Sequence, residues 1–265
     1  MRYASTLLAA ILLTTLSAQA RSLDQIQADG KLVMLCFPHQ ESEFVRVDLS
    51  RGSMPTAGDA DDFVGIDVDL VSALAKELGV ALEIRPVSEP SYAALIPELL
   101  AGRGDLVASS FSITEARRKT VDFSRPYFSV YPVVLVRRDS MIDGPEDLAG
   151  LRGTVTSGSS LEEHLLSMEI PDLVRVPSDF SIETFARVTD GEADFTLSDS
   201  ASARAYLSTD DALRIAFRLP ADDRYGIAVP PGSDLLPALD DFLERIERSG
   251  RLDEIIARHL GARDR

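Results

Sequence analysis

Short apolar runs alternate along this chain with longer segments whose apolar residues recur every three or four positions, and few folds accommodate that order. Lys31–Phe37 reads as a buried strand, and residues 51–62, rich in Gly, Pro, Asp and Ala, read as a loop. Leu70, Val71, Leu74, Ala75 and Leu78 share one face of a helix over 67–78, which Gly79 ends. Val80–Val87 returns to strand. Tyr92, Leu95, Ile96, Leu99 and Leu100 form a second helical face, stopped by Gly102. Further strands are predicted over 105–108, 133–136, 154–156, 173–176, 194–197 and 225–229. Further helices are predicted from Leu161 and over 182–188, 235–247 and 252–259. This alternation predicts an α/β fold with parallel-dominated sheets and flanking helices. At 265 residues the chain exceeds a usual domain of about 100–150, so two lobes are expected.

One segment echoes another. Leu99-Leu100-Ala101-Gly102-Arg103-Gly104-Asp105 leads into Leu106-Val107-Ala108-Ser109-Ser110, and Val188-Thr189-Asp190-Gly191-Glu192-Ala193-Asp194 leads into Phe195-Thr196-Leu197-Ser198-Asp199. Each is a helix end, a glycine turn, an Asp and an apolar strand that finishes in polar residues. The glycines suit left-handed helix caps. Ligands of open α/β sheets sit off the carboxyl ends of strands. Two such ends facing each other make a cleft, although Ser and Asp are also common in ordinary loops.

Composition narrows what that cleft can hold. The chain carries 27 Lys and Arg against 43 Asp and Glu, a formal charge of −16. A surface this acidic repels nucleic-acid phosphates and anionic lipid. Three His and a single Cys show no metal-ligand spacing, and no metal or cofactor is implied. Cys36 has no disulfide partner and reads as a small buried hydrophobe. At the N-terminus, Met1-Arg2-Tyr3, an apolar run from Leu7 to Leu16 and Ala18-Gln19-Ala20 have the order of a secretory signal peptide over residues 1–20. The run is too short for a membrane span. An exported, soluble protein is expected.

The polar residues of both halves suit a small zwitterion. Ser109-Ser110-Phe111-Ser112-Ile113-Thr114-Glu115-Ala116-Arg117 supplies hydroxyls, and Arg117 offers a donor fork matched to a carboxylate. Taken alone, Arg117 also suits a surface ion pair. In Thr154-Val155-Thr156-Ser157-Gly158-Ser159-Ser160-Leu161-Glu162-Glu163, Ser160 and Glu163 predict a capping box, and Gly158 lets a ligand approach the backbone beside a helix N-terminus. Asp199, at a strand end, can pair with an ammonium group.

These residues and their order resemble the bacterial periplasmic solute-binding proteins of family 3, the amino-acid type, over about Leu32–Leu260. The resemblance is carried by Gly65-Ile66-Asp67-Val68-Asp69-Leu70-Val71, by Ser112-Ile113-Thr114-Glu115-Ala116-Arg117, by Val121-Asp122-Phe123-Ser124-Arg125-Pro126-Tyr127, by Gly158-Ser159-Ser160, and by Gly191-Glu192-Ala193-Asp194 through Asp199. It implies a two-lobed periplasmic binding protein fold joined by two hinge strands, with residues 21–128 and 222–265 in lobe 1 and 129–221 in lobe 2. It also implies ligand binding by Ser110, Ser112, Arg117, Ser159, Ser160 and Asp199: carboxylate to Arg117 and the serines, amine to Asp199. Hinge closure on an amino acid or related carboxylate, and delivery to a membrane ABC permease by a periplasmic monomer, follow from the same resemblance.

The chain departs from the family at Phe37-Pro38-His39-Gln40, where amino-acid binders often carry Asp-Pro-x-Tyr/Phe. Phe37 is either a lid over the ligand or core, and the lost Asp argues against a cationic ligand side chain. Two other functions fit the scaffold. One is a cyclohexadienyl dehydratase-like enzyme, which needs a general acid, with Asp222, Asp223 or Glu41 as candidates. The other is a ligand sensor.

Overall fold

The computed structural model describes residues 20–37, 42–48, 50, 57–87, 91–178 and 181–260. Residues 1–19, and with them almost all of the expected signal segment, lie outside the described residues, as do His39, Gln40 and Glu41.

Two sheets organise two lobes. In the first, the strands run Gly58–Asp59, Ala81–Pro86, Lys31–Cys36, Leu106–Val107, Ala228–Val229, Asp122–Phe123. Lys31–Cys36 is parallel to both of its neighbours. Alternation along it explains its unbroken apolar run. Leu32, Met34 and Cys36 pack on one face with Leu70, Leu74 and Phe242, while Leu35 packs on the other with Leu95, Leu99 and Phe111. A strand buried on both faces has no polar face to show. The second sheet runs Val174–Ser178, Arg152–Thr156, Phe195–Asp199, Pro132–Arg137, Leu213–Arg218. Its first three strands are parallel, and Pro132–Arg137 is antiparallel to both neighbours. Both sheets are therefore mixed: the expected parallel dominance holds for three adjacent strands in each. The remaining pairings are antiparallel where the chain crosses over or doubles back.

The chain passes between the sheets twice, through Phe128–Val130 and Asp223–Tyr225, which pair antiparallel. The apolar run expected as one strand over 225–229 is split. Tyr225 ends the crossing ladder, and Ala228–Val229 enters the first sheet. Gly226 lies at the step, where a Cβ would meet Ile113 at 2.8 Å.

The sequence echo has a structural cause. Asp105 donates its N–H to Val33 O at 2.9 Å, and its carboxylate accepts the Val33 N–H at 2.7 Å. Asp194 does the same with Arg152, at 2.7 and 2.8 Å. Each carboxylate also takes an arginine, Arg21 in one case and Arg152 in the other. Each Asp thus locks a strand to its parallel neighbour and fixes where the polar strand end emerges.

Candidate functional site

The strand ends meet in one cleft. Its lining includes Tyr92, Ser110, Ser112 and Arg117 on the side of the first sheet, and Thr156, Ser159, Ser160, Ser198, Asp199, Ser202 and Tyr206 on the side of the second. Asp223 and Tyr225 of the crossing ladder also line it. Six of the seven residues singled out from sequence therefore share one cavity. The seventh, Phe37, does not line it. Phe37 is 3% exposed and packs in the core with Leu35, Leu95 and Phe111, its ring edge-on to Tyr92 at 5.2 Å. Of lid and core, the structure selects core, because Tyr92 occupies the cleft wall in front of it.

Arg117 is held by a short helix, Glu115–Arg118, whose Thr114 cap accepts the Arg117 N–H. Its guanidinium donates to Ser112 O at 2.8 Å and Gly158 O at 3.2 Å, and lies 3.9 Å over the Phe111 ring. Among the described residues no carboxylate comes within ion-pair distance of it, although the side chain is buried. Burial pulls its pKa down to about 10, opposed by Glu163, Tyr92 and Asp223. It remains a cation at neutral pH.

Ser110 adopts a left-handed conformation (φ 45°), unusual for a residue with a side chain. Its N–H is held at 2.7 Å by Asp67, which also accepts the Tyr127 hydroxyl. Asp67 is fully buried with no cation beside it among the described residues, and burial pushes its pKa up to about 7 against those two hydrogen bonds. Asp67 stands in the first turn of the helix Ile66–Leu78, entered at Gly65, where a Cβ would meet Phe44 O at 2.1 Å.

Asp199 caps the helix Ser200–Thr209, accepting the N–H groups of Ala201 and Ser202 at 2.9 Å each. Burial raises its pKa, and the bonds from Ser202 and Ala201 oppose that. Ser159 caps Ser160–Ser167, so that helix starts one residue earlier than the expected Ser160 cap. Gly158 does not wait open for a ligand. Its N–H donates to Glu162 at 2.9 Å, its carbonyl accepts from Arg117, and its α-carbon faces Ala93 across the cleft. The glycine serves the approach of one lobe to the other.

The floor of the cleft was not anticipated as a unit. Ser112 and Ser160 hydroxyls lie 2.9 Å apart, and Ser160 donates to Asp223 Oδ2 at 2.9 Å. His164 Nε2 lies 2.9 Å from Asp223 Oδ1. Burial acts to raise the Asp223 pKa, but the bonds from His164, Ser160 and Ser112 leave it below the usual range. His164 is raised, chiefly by its bond to Asp223. Of the other candidate acids, Asp222 is exposed and pairs with Arg218. Asp67, Tyr92 and His164 were missed as site residues. Asp67 lies in the Gly65–Val71 segment that carries the family resemblance, whereas nothing local marks Tyr92 or His164.

A family model described as bacterial extracellular solute-binding proteins, family 3, matches residues 46–262. A probable histidine-binding protein of Neisseria gonorrhoeae is 32% identical over 204 residues, 74% of each chain. Membrane-bound lytic murein transglycosylase F of Desulfosudis oleivorans is 28% identical over 92% of this chain, which spans 52% of that longer protein. Among solved structures, a mutant of ArgBP from T. maritima superposes with a TM-score of 0.77 at 32% identity, covering 89% of this chain and 98% of that one. The ancestral amino acid-binding protein AncCDT-1, a precursor of cyclohexadienyl dehydratase, gives 0.78 at 28% identity, covering 90% and 99%.

Proposed function

The chain belongs to the bacterial extracellular solute-binding proteins of family 3, and from that premise we propose that it captures a free amino acid between its lobes for an ABC-type permease. Residues 21–128 and 222–265 form lobe 1, residues 129–221 form lobe 2, and the paired segments Phe128–Val130 and Asp223–Tyr225 are the hinge. The ligand carboxylate binds Arg117 and its amine binds Asp199. One observation carries this reading: among the described residues, a buried arginine without a carboxylate partner and a half-buried carboxylate without an arginine line the same cleft. Ser110, Ser112, Ser159 and Ser160 complete the walls. A ligand that touches both walls favours the closed arrangement, so closure itself discriminates. The protein works as a monomer in the periplasm, with residues 1–20 as its export signal.

Binding rather than catalysis is supported by Asp223. Of the candidate acids among the described residues it is the one that lines the cleft, and its depressed pKa leaves it no proton to give a leaving hydroxyl at neutral pH. The names of the histidine-, arginine- and glutamine-binding relatives point the same way. A thermal-shift screen of the twenty amino acids tests the reading. A ligand at about 100 times its Kd adds about 2.7 kcal/mol of stability, a readily visible shift. No shift with any amino acid, together with consumption of prephenate by the purified protein, would replace it with the dehydratase reading.

A further inference from the structure

From Arg117 a chain of contacts leads out of the cleft to a titratable group. The Arg117 guanidinium donates to Ser112 O at 2.8 Å. The Ser112 hydroxyl lies 2.9 Å from that of Ser160 and 3.4 Å from Asp223 Oδ2, and Ser160 donates to the same oxygen at 2.9 Å. The other oxygen, Oδ1, lies 2.9 Å from His164 Nε2. Ser160 and His164 are one helical turn apart, so one face of the helix Ser160–Ser167 grips both oxygens of a carboxylate that belongs to the crossing ladder.

Charge makes this grip more than a brace. Asp223 and Glu163 are the carboxylates felt most at Arg117, and the same two are the charges felt at His164. Around that helix, Glu162 pairs with Arg175, and on the strand Arg152–Thr156 packed against it Arg152 pairs with Asp194. On the strand Phe195–Asp199, Asp199 caps the next helix. Beside Asp223 in the ladder, Asp222 pairs with Arg218 and Arg224 is exposed. A ligand carboxylate on Arg117 adds a negative charge on the Asp223 side, and the His164 imidazolium is the group placed to offset it.

We propose that His164 is a positioning residue of the carboxylate subsite, acting through Asp223 and the two serines, and that ligand capture draws a proton onto its imidazole. The inference rests on the amino-acid reading of the site. A nearby anion favours the charged imidazole, so its pKa rises on binding, and protons are taken up between the free and bound values. Affinity therefore falls as pH climbs through that window. The window lies above about pH 6.5, because the bond to Asp223 already raises the free value. A further rise of about one unit gives an uptake of about half a proton at the midpoint, and binding about tenfold stronger on the acid side than on the alkaline side. Asp67 titrates from behind Ser110 in a similar range, and its own variant separates the two.

Isothermal titration in two buffers of unlike ionisation heat counts the protons taken up at each pH, from about pH 6 to about pH 8.5. L-glutamine and L-arginine are titrated first, then the other amino acids whose side chains do not ionise in that range. The wild type should take up a fraction of a proton and weaken by up to about tenfold as pH rises. His164→Gln keeps a donor for Asp223 but cannot titrate. Its uptake should vanish, and its affinity should stay at the wild-type alkaline value throughout. Asp67→Asn should leave the uptake in place. Imidazole NMR of the wild type reads the same event without substituting His164, as a rise in its pKa on ligand addition; His39→Gln and His259→Gln assign the other two histidines. No uptake in the wild type, uptake that survives in His164→Gln, or a His164 resonance whose pKa does not move overturns the inference. Binding of no amino acid at all refutes the amino-acid reading, and the inference with it.

Discussion

A guanidinium buried to the extent of Arg117 usually has a carboxylate beside it, yet this one has two carbonyl oxygens and an aromatic face. Carbonyls satisfy N–H groups but do not neutralise the charge, and a ligand carboxylate does both. Arg117→Ala should therefore cost about 2–5 kcal/mol of ligand affinity by isothermal titration. It should cost the unliganded fold little, because it removes an uncompensated charge. Unchanged affinity would place the ligand elsewhere. Asp67 makes a separate residue-scale prediction. Its folded pKa is raised by burial to about 7, so the folded state holds a proton that the unfolded chain releases near pH 4. The stability from that proton is fully present below about pH 4 and is lost as pH rises through the folded value. Denaturant melts of the wild type should thus weaken as pH rises from about 4 to about 7, and Asp67→Asn should flatten that slope. A wild-type slope retained in Asp67→Asn assigns the titration to another group. Arg117 and Asp199 were legible in the sequence because each sits in a short polar segment next to an apolar strand. Asp67 was not, because its role depends on burial behind Ser110, which no local pattern encodes. Phe37 misled for the same reason: nothing in the order Cys36-Phe37-Pro38 says that Tyr92 will stand in front of it.

Segments with strong periodicity came out as the sequence predicts, and segments held by their neighbours did not. Lys31–Cys36, Ile66–Leu78 and Leu235–Arg248 each bury a face their own pattern declares. The strand Leu213–Arg218 and the helix Ser200–Thr209 were not expected. The strand is half exposed at a sheet edge, and a bulge between Ile215 and Phe217 breaks its alternation. The helix is Ser-rich and weakly apolar, and the Asp199 cap at its start substitutes for a strong face. The helix Ser160–Ser167 carries its own test, because His164 on it reaches Asp223 on the crossing ladder. The folded His164 pKa is raised, so its contribution is full below about pH 6.5 and lost above its folded value. The folded Asp223 pKa is lowered, so its contribution is present above about pH 4 and lost below that range. Glu163 also favours the charged imidazole. His164→Gln should lower the unfolding free energy most near pH 5–6, by about 1 kcal/mol for a partly exposed pair, and least at alkaline pH, above the folded His164 value. An equal loss at both pH values would mean that His164 acts through packing alone.

Closure is where the two lobes stop being separate folds, and individual contacts between them can be tested singly. Ser112 meets Ser160, Arg117 reaches Gly158 O, and Gly158 lies against the first turn of the helix Tyr92–Leu100. A Cβ at Gly158 would come within 2.9 Å of Ala93 N and 3.0 Å of Ala93 Cβ, both in the opposite lobe. Backbone cannot yield as a flexible side chain can, so Gly158→Ala acts against the closed arrangement in particular. Its left-handed φ of 71° adds a cost of about 1–2 kcal/mol that is local to lobe 2 and present whether the lobes are open or shut. The two effects separate by measurement. Thermal melts without ligand report the local strain, whereas small-angle scattering with and without ligand reports compaction. We expect a modest drop in melting temperature, a loss of ligand-induced compaction, and an affinity weaker by about tenfold or more, because binding energy must now be spent forcing the lobes together. Full compaction at unchanged affinity would show that lobe 2 approaches lobe 1 along another path, and that the contact at Ala93 does not limit capture.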